Sequence, residues 1–555
     1  MLQLNPATGD ICGNAARIAE AARAAACSGA ALCITPNHAL CGAGPQHMLT
    51  VYGFVEACRN ALHTLAKELA DGPPVLTSAP LAAFMPNDER ICNAAVLLKD
   101  GKLVVAAHTE FDPNIQPDGV SATVQGMCCG MVTLLDWRLG VFLYDESWED
   151  VFWEQIQKPN VHNPLKALIA RGMDALVHLG ATPFTVGIRE LREQRLSHMA
   201  SKHHLHLFSS NLVGGSGGDV YHGQSLAFDP TGALLGRGRV FEEDCVLINT
   251  STNEGPHHPD CVCREEQVWG ALCLGLRDYV CKSGFEGVLL GISGGLDSAV
   301  VAALAVCALG RENVLGVLLP SPWTSAESTR YAAELAENLG IARLKLPIMP
   351  LMQAYADTLA PAFAAPLKSA HAGRDSTEEN IQSRIRGNLL MALANKYGLL
   401  LLNTSNKSEV AVGYSTLYGD AAGALAVIGD VHKSGVYKLA RWHNERRGSA
   451  VVPEGIIKRA PSAELRPGQL DTDSLPPYDM LDPLLARIMG EDLPPALSAD
   501  DGEQPDPALL GEIYKKMRMA EFKRRQFPPV LRISRRAFGR DWRLPLVSRY
   551  SVPTE

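Results

Sequence analysis

The chain has 555 residues with a formal net charge of −9, and 46% of its residues are apolar. A chain of this length is expected to form two or three domains, and its negative balance argues against a large nucleic-acid-binding face, which needs clustered Lys and Arg. No run approaches the roughly 18 apolar residues of a membrane helix, and the N-terminal MLQLNPATGD lacks the features of a secretory signal. The sequence therefore predicts a cytoplasmic protein.

All 14 cysteines lie between Cys12 and Cys307. In a chain without an export signal, we expect reduced thiols rather than a disulfide framework. The segment HHPDCVC at 257–263 leaves a metal site open as an alternative to a solvated linker. Its Cys-x-Cys spacing nevertheless differs from the Cys-x₂-Cys of common zinc knuckles.

The first 250 residues or so alternate short apolar runs with Ala-rich helical stretches such as NAARIAEAARAAACSGA. Two of the runs, LLKDGKLVV and AFDPTGALL, contain strong hairpin turns. This mixture predicts a layered α/β sandwich. The segment 253–260 then interrupts the periodicity, so we expect one domain over 1–255, a linker over 256–268 and a second domain over 269–555.

In the second domain, strands alternate with helices: GVLLGI with DSAVVAALAVCALG, NVLGVLLP with ESTRYAAELAENLG, and ARLKLPI with a long helix ending near Tyr397, before a last strand LLLLNT. Thr324 and Ser376 each precede a Glu by three residues, the spacing of a capping box. Repeated β–α units predict a doubly wound parallel sheet with ligands at the carboxyl ends of its strands. The Pro- and Gly-rich segment 442–480 is expected to form a loop or lid, and the acidic SADDGEQPDPA a solvated insertion.

The turn after the first of these strands reads GISGGLDSAV, residues 291–300. It is not a Walker loop, which needs a lysine, and it lacks the GxGxxG dinucleotide spacing. Adjacent glycines at a helix N-terminus turn backbone N–H groups inward, which predicts a phosphate site. The carboxylate of Asp297 would repel a bare phosphate, so we interpret it as a Mg²⁺ ligand beside a pyrophosphate. A Gly-Ser turn capped by Asp297 is the structural alternative.

The SGGLDS loop resembles that of the ATP pyrophosphatases, which split ATP into AMP and pyrophosphate to adenylate an acceptor. The blocks after it resemble one group among these, the NAD synthetases, over essentially all of 265–555. These blocks are EENIQSRIRG, NTSNKSEVAVGY, LYGD, PSAELR, LPPY, KRRQ and AFGRD. The resemblance implies a doubly wound parallel sheet of the adenine nucleotide α-hydrolase type.

The same resemblance implies roles for individual residues. The catalytic residues and Mg²⁺ ligands would be Asp297 and Glu409. The ATP contacts would be Gly291, Ile292, Ser293, Gly294, Gly295, Leu296, Asp297, Ser298, Thr404, Lys433 and Ser462. The contacts to deamido-NAD⁺ would be Asn380, Arg384, Glu409 and Lys523.

The implied reaction has two steps. The nicotinate carboxylate of deamido-NAD⁺ attacks the α-phosphorus of ATP, and ammonia then displaces AMP from the acyl-adenylate. We therefore expect ATP as a substrate and Mg²⁺ as a cofactor. A homo-oligomer, at least a dimer, is implied, with no nucleic-acid or membrane partner.

The first 250 residues resemble the nitrilase-like glutaminase domain of the long NAD synthetases. The stretches that carry the resemblance are QLNPATGDICGNAARI, GATPFTVGIRELREQRL and NLVGGSGGDVYHGQSLAFDPTGALLGRGRVFEED. It implies an α-β-β-α sandwich and a chemistry that uses a Glu base, a Lys and a Cys nucleophile.

The sequence departs from the glutaminase pattern at all three positions, where it has Asn37, Ala106 and Tyr144. Amide, methyl and phenol cannot replace base, cation and thiolate, so we expect a folded but inert domain and favour ammonia as the nitrogen source. The alternative is glutamine, hydrolysed by an unrecognised nucleophile or by a separate glutaminase partner.

Two other function classes fit the sequence less well. A carbon–nitrogen hydrolase would need an intact triad in the first domain. A tRNA-modifying adenylating enzyme would need a basic face or a sulfur-carrying cysteine, and residues 308–555 contain no Cys.

Overall fold

The structure, a computed structural model, describes residues 1–82, 91–110, 127–128, 130–143, 164–364, 375–491 and 506–551. The chain divides into two compact units, Met1–Arg264 and Glu265–Glu555. A long helix begins at Arg264, inside the segment that the sequence predicts as a linker. Within the described ranges, no helix combines the length and apolarity needed to cross a membrane.

The first unit is built on two sheets. Its strands are β1 (Leu2–Gln3), β2 (Cys33–Ile34), β3 (Val75–Ala82), β4 (Ile91–Lys99), β5 (Lys102–Glu110), β6 (Met127–Cys128), β7 (Gly130–Leu134), β8 (Trp137–Phe142), β9 (Ala175–Gly180), β10 (His206–Asn211), β11 (Val213–Ser216), β12 (Asp219–His222), β13 (Leu226–Phe228), β14 (Leu234–Arg237) and β15 (Asp244–Cys245). One sheet has the order β2-β3-β4-β5-β6 and the other the order β14-β13-β10-β9-β8-β7, while β1 pairs with β15 and β11 with β12.

Helices cover the outer faces of the two sheets. They are α1 (Ile11–Cys27), α2 (Phe54–Glu68), α3 (Pro164–Ala170) and α4 (Ile188–His203). Alternation along β4 shows how the layers form: Ala94, Val96 and Leu98 pack toward α1 and α2, whereas Ala95 and Leu97 pack toward the second sheet. On the far side, the second sheet packs against α3 and α4. The predicted α-β-β-α sandwich is confirmed.

The hairpin predicted in LLKDGKLVV is also confirmed. Asp100 and Gly101 connect β4 to β5, and both have positive φ angles, of 51° and 72°. This is the backbone that a two-residue hairpin turn requires, and an Asp-Gly pair adopts it readily.

The second unit is a parallel sheet surrounded by helices. Its strands are β16 (Val288–Gly291), β17 (Val314–Leu318), β18 (Ala342–Lys345), β19 (Leu400–Asn403) and β20 (Leu425–Ala426). Its helices are α5 (Arg264–Lys282), α6 (Leu296–Leu309), α7 (Ala326–Leu339), α8 (Met349–Phe363), α9 (Thr377–Tyr397), α10 (Lys407–Val412), α11 (Lys433–Arg447), α12 (Glu454–Lys458), α13 (Tyr478–Met489), α14 (Pro507–Met519) and α15 (Glu521–Arg524).

The strand order is β18-β17-β16-β19-β20, and every neighbouring pair is parallel. The chain therefore winds outward from β16 in one direction and then from β19 in the other, which confirms the doubly wound sheet. Crossovers diverge between β16 and β19, and ligands bind at such a switch point, beyond the carboxyl ends of the strands.

Two sequence predictions need correction at the level of local structure. Ser325 rather than Thr324 caps α7, because its side chain accepts from the Ser328 N–H, and Ser376 makes no side-chain capping bond to α9. The segment 442–480 is not one loop. Its first residues continue α11, and α12 and the start of α13 lie within it.

Candidate active site

The glycine turn lies at the switch point of the parallel sheet. It follows β16 directly and leads into α6, with Gly295 as the N-cap residue. Gly294 has a φ of 80°, and a Cβ at that position would stand 2.3 Å from the Ser328 carbonyl oxygen. Only glycine fits such a backbone. The turn therefore brings the first N–H groups of α6, which have no acceptor four residues earlier in the helix, to the edge of the sheet.

Serine hydroxyl groups fix the shape of this turn. The Ser293 and Ser298 hydroxyls lie 3.1 Å apart, and the Gly295 N–H donates to Ser293 Oγ over 3.2 Å. Ser298 Oγ in turn donates to the Gly295 carbonyl over 3.1 Å. These bonds fix the conformation of the loop. They also occupy the hydroxyl groups of Ser293 and Ser298, which were expected to face the phosphates.

Three charged side chains converge beside the loop. Lys433, the first residue of α11, donates through Nζ to Asp297 and lies 3.5 Å from Glu409 Oε1. Asn406 Nδ2 donates to the other Asp297 oxygen over 3.0 Å. Glu409 is placed by a capping box at the start of α10, in which Asn406 accepts from the Glu409 N–H. Asp297, which follows β16, and Glu409, which follows β19, thus both lie next to Lys433.

Burial controls the protonation of this cluster. Desolvation, reinforced by the nearby charge of Asp297, raises the pKa of Glu409 to about 8. Burial acts to lower the pKa of Lys433, but the carboxylates of Asp297 and Glu409 outweigh it and raise that pKa. The lysine is therefore charged, and it faces two carboxyl groups, of which Glu409 is the one that holds its proton near neutral pH.

The residues present fit a Mg²⁺ ion. Mg²⁺ is bound by one or two protein carboxylates and completes its shell with waters and substrate phosphates, and Asp297 and Glu409 supply two such groups next to a phosphate-type loop. A third protein ligand is not needed. Among the described residues, no group of three or more His, Cys, Asp or Glu is arranged to hold a metal by itself.

A cavity of about 320 Å³ opens over the loop. All the residues assigned to ATP by resemblance line it: the eight residues of 291–298, together with Thr404, Lys433 and Ser462. The Ser462 hydroxyl donates to the Gln469 carbonyl within its own loop. The structure therefore brings the expected ATP contacts together around one volume.

The residues assigned to deamido-NAD⁺ fall into two places. Glu409 lines the cavity, whereas Asn380, Arg384 and Lys523 are not part of its wall. These three contact one segment of chain, 413–417. Thr416 donates to Asn380 Oδ1 over 2.7 Å, Arg384 Nε donates to the Leu417 carbonyl over 3.2 Å, and Lys523 Nζ donates to the Gly413 and Ser415 carbonyls over 2.8 and 2.6 Å.

Sequence reasoning missed five charged residues of the cavity wall, which are Arg386, Asp420, Arg459, Glu464 and Asp471. Arg386 lies two positions after Arg384, on another side of α9, and donates to the Leu319 carbonyl over 3.0 Å. Asp471 accepts from the Tyr478 hydroxyl over 2.8 Å, and burial raises its pKa. A helical wheel of α9 could have separated Arg384 from Arg386, but Asp471 belongs to a segment whose position no local pattern fixes.

A buried polar network supports the converging cluster. The side chain of Lys407 is fully buried and donates to Asp430 Oδ1 over 2.7 Å, to Ser534 Oγ over 2.9 Å and to Glu491. Its neighbour Ser408 donates to Asp482 and accepts from the Lys433 N–H over 3.0 Å. The network thereby ties the start of α10 to the start of α11, the two helices that carry Glu409 and Lys433.

In the first unit, Asn37 stands in a closed hydrogen-bond network. Its Oδ1 accepts from the His38 N–H, Ser78 Oγ and Asn93 Nδ2 over 3.0, 2.8 and 3.0 Å. Its Nδ2 donates to the Leu143 carbonyl over 3.2 Å, one residue before Tyr144 in the chain. Ala106 is buried in β5, and Tyr144 lies outside the described residues.

The buried cysteines described in the first unit do not provide an obvious replacement nucleophile. Cys41 lies 3.8 Å from His38 Nδ1, but it is completely buried, and burial raises the pKa of its thiol far above the usual range. Burial likewise raises the pKa of Cys33 to about 11 and that of Cys58 to about 12. A thiol must be ionised and accessible to act as a nucleophile, so these three are inert.

Comparisons with known proteins agree over the whole chain. The family model described as NAD synthase matches residues 268–527. Glutamine-dependent NAD(+) synthetases of Synechocystis sp. and Thermotoga maritima are 40% and 37% identical to this chain, over 99% and 100% of its length and 98% and 99% of theirs.

Solved structures give the same result. The glutamine-dependent NAD⁺ synthetase of Acinetobacter baumannii, solved in complex with ADP, superposes with a TM-score of 0.73 at 30% identity, covering 100% of this chain and 99% of that one. A synthetase of the same description from Cytophaga hutchinsonii shares the fold, with a TM-score of 0.76 at 19% identity and coverage of 99% and 97%. The chain belongs to the glutamine-dependent NAD(+) synthetase family.

Proposed function

We propose that this protein is an NAD⁺ synthase that amidates deamido-NAD⁺ in an ATP-dependent reaction, releasing AMP and pyrophosphate. The observation that carries the proposal is the convergence of Asp297, Glu409 and Lys433 beside a phosphate-type loop, inside a cavity lined by every expected ATP contact. Membership of the family supports the same activity.

The chain's own residues account for the adenylation step. The N–H groups at the start of α6 and the Lys433 ammonium would bind the ATP phosphates and stabilise the charge that develops on the leaving pyrophosphate. When bound between Asp297 and Glu409, Mg²⁺ supplies additional charge neutralisation of phosphate oxygens. An acyl-adenylate formed in this cavity would have to be kept from water until ammonia reacts with it.

We further propose that the 413–417 segment marks the position of deamido-NAD⁺. The support is that Asn380, Arg384 and Lys523, which come from two different helices, all hold this one segment. Glu409 lies four residues before it and also lines the cavity, which supports a role between the two substrates. This is where a group that bridges ATP and its acceptor belongs.

The adenylation mechanism is tested by its products. With deamido-NAD⁺, Mg-ATP and ammonium, the protein is expected to form NAD⁺, AMP and pyrophosphate in equal amounts. Asp297→Asn should lower turnover at least about a hundredfold, because it removes a carboxylate from the converging cluster. The matched control Asp357→Asn, on an exposed face of α8, should keep wild-type turnover. ADP and phosphate as products would contradict the mechanism.

The nitrogen source is the second part of the proposal. The names of the relatives favour glutamine, so the comparisons do not confirm the expectation of ammonia. The first unit of this chain argues differently, because Asn37 stands where a base is needed and Ala106 where a cation is needed. We therefore propose that the chain itself amidates with free ammonia, and that glutamine serves only through another protein or a nucleophile outside the pattern.

Isotope competition decides between these sources. The purified protein is given equal concentrations of glutamine labelled with ¹⁵N in its amide and of unlabelled ammonium, and the mass of the NAD⁺ product is measured. Unlabelled NAD⁺ is expected, for the wild type and also for Tyr144→Cys, in which base and cation are still missing. Labelled NAD⁺ would show that this chain uses glutamine itself, which would contradict the proposal.

A further inference from the structure

Two thiols meet in the second unit, away from the ATP cavity. Cys273 lies on α5 and Cys307 near the end of α6, and each thiol shifts the pKa of the other. Cys273 is half-buried and also faces the Leu304 carbonyl at 3.9 Å, one helical turn before Cys307. Cys307 is exposed, and both cysteines are free. One accessible thiol thus stands against one sheltered thiol on a neighbouring helix.

The surroundings of the pair favour a thiolate on the exposed cysteine. Trp269, one turn before Cys273, lowers the pKa of the Cys307 thiol, and its ring stacks on His443 of α11 with ring centroids 4.3 Å apart. The pKa of Cys307 is lowered to about 6, although the thiol is partly buried. The groups that lower it are the side chains of Cys273 and Trp269 and the charge of Arg447. The same contact raises the pKa of Cys273.

We propose that Cys307 and Cys273 form a modification site for hydroperoxides, in which Cys307 is oxidised first and Cys273 closes a disulfide between α5 and α6. The inference is separate from the synthase activity, since neither residue lines the ATP cavity. It rests on the paired geometry, in which an accessible, ionisable thiol lies beside a second thiol that can resolve it.

The chemistry balances with one hydroperoxide per disulfide. The Cys307 thiolate attacks the peroxide oxygen, the O–O bond breaks, and the leaving hydroxide takes a proton to give water and a sulfenic acid. The Cys273 sulfur then attacks the Cys307 sulfur, and the S–O bond breaks. The hydroxide that leaves takes the Cys273 proton, so a second water is released as the S–S bond forms.

The position of the pair gives the disulfide a structural meaning. The helix α6 begins at the phosphate loop, and Cys307 lies roughly 16 Å from that end at a rise of about 1.5 Å per residue. A bond to α5 would therefore fix the far end of the helix whose near end is proposed to bind ATP phosphates. The stacked Trp269 and His443 extend the same contact to α11, which carries Lys433.

The test uses the full-length protein and three serine variants treated with hydrogen peroxide at pH 7, with peptide mapping by mass spectrometry. The wild type should give a Cys273–Cys307 disulfide. Cys273→Ser should stop at a Cys307 sulfenic acid that dimedone traps, and Cys307→Ser should leave Cys273 reduced. Cys281→Ser, which removes another exposed cysteine of α5, is the matched control and should oxidise like the wild type.

A competition with iodoacetamide at pH 7 provides an independent measurement. Because the thiolate is the reactive species, Cys307 of the reduced protein should be alkylated about tenfold faster than Cys281. Equal rates for the two residues, or a peroxide-induced bond from Cys307 to any cysteine other than Cys273, would overturn the proposal. So would a Cys273→Ser protein in which dimedone labels Cys281 in preference to Cys307.

Discussion

The two adjacent glycines of the turn at 291–298, Gly294 and Gly295, are required for different reasons. At Gly294 a Cβ would meet backbone at 2.3 Å, so a side chain there would distort the loop itself. At Gly295 the nearest atom to a Cβ is the hydroxyl oxygen of Ser293, 3.2 Å away, and the residue lines the cavity. Gly295 is therefore the position at which close approach of a ligand can be tested separately from loop folding.

We predict that Gly295→Val weakens ATP binding at least about tenfold with little loss of stability, because the new side chain occupies the space that phosphates would enter. Gly294→Val should instead lower both ATP affinity and the melting temperature. Calorimetric titration with ATP and thermal unfolding of the same samples measure the two effects. Wild-type ATP affinity in Gly295→Val would contradict the phosphate role of the loop.

The buried Lys407 is a second residue whose contribution can be measured. It neutralises Asp430 and Glu491 in a place where water cannot. Removing one partner of a buried ion pair leaves uncompensated charge and costs about 3–5 kcal/mol. Lys407→Met should therefore lower the free energy of unfolding by that amount in urea titrations. Lys396→Met, on the exposed surface of α9, should change it by less than about 0.5 kcal/mol.

At the scale of elements, the contact between α5 and α11 contains a titratable group. His443 is buried and stacks on Trp269, and burial, with the charge of Arg447, lowers its pKa to about 4. The unfolded chain takes up this proton near pH 6.5, whereas the folded protein resists it until about pH 4. Folding thus opposes protonation throughout this interval.

The consequence is a defined window of pH dependence. The contribution of His443 to stability is fully present above pH 6.5 and is lost as the pH falls toward 4, where the folded protein is protonated as well. As the pH falls from 6.5 to 4, the free energy of unfolding of the wild type decreases because of His443. We predict that this decrease is smaller in His443→Phe by about 3 kcal/mol. Chemical denaturation at a series of pH values measures the difference, and parallel curves would contradict the prediction.

Elements of the second unit could be predicted well because their signals are local. The helix predicted to end near Tyr397 ends there, before Gly398, and the strands alternate with the helices as expected. The capping of α7 was misplaced by one residue, since Ser325 competes with Thr324 for the same helix start and a spacing rule cannot rank them. Arg386 and Asp471 were not predicted as site residues, because the cavity wall is formed by segments that are far apart in the sequence.

For the whole molecule, the two units have separate hydrophobic cores. Among the residues that the structure describes, the clusters that join the sandwich layers lie within Met1–Arg264, and those around the parallel sheet lie within Glu265–Glu555. A unit with its own core can fold by itself. We predict that a protein comprising residues 265–555 unfolds in one cooperative transition and still forms NAD⁺ from ammonium.

The measurement is thermal unfolding together with the ammonium-dependent assay. The control is the same fragment with Asp297→Asn, which should fold equally well and lack activity. An insoluble fragment, or a folded fragment without turnover, would show that the first unit contributes to the synthase site. The sequence predicts a linker over 256–268, and the boundary between the two units, Arg264 and Glu265, lies within that range, where α5 begins.

The hydrogen bonds of Asn37 determine what a carboxylate at this position would cost. Both polar atoms of this amide have partners, so the side chain is held within the core of the first unit. A carboxylate at position 37 would place an oxygen against the Leu143 carbonyl, which now accepts from the Asn37 amide N–H. Burial would also disfavour its charge. A change of Asn37 alone to an acidic residue is therefore expected to cost stability, because the core around it is arranged for an amide.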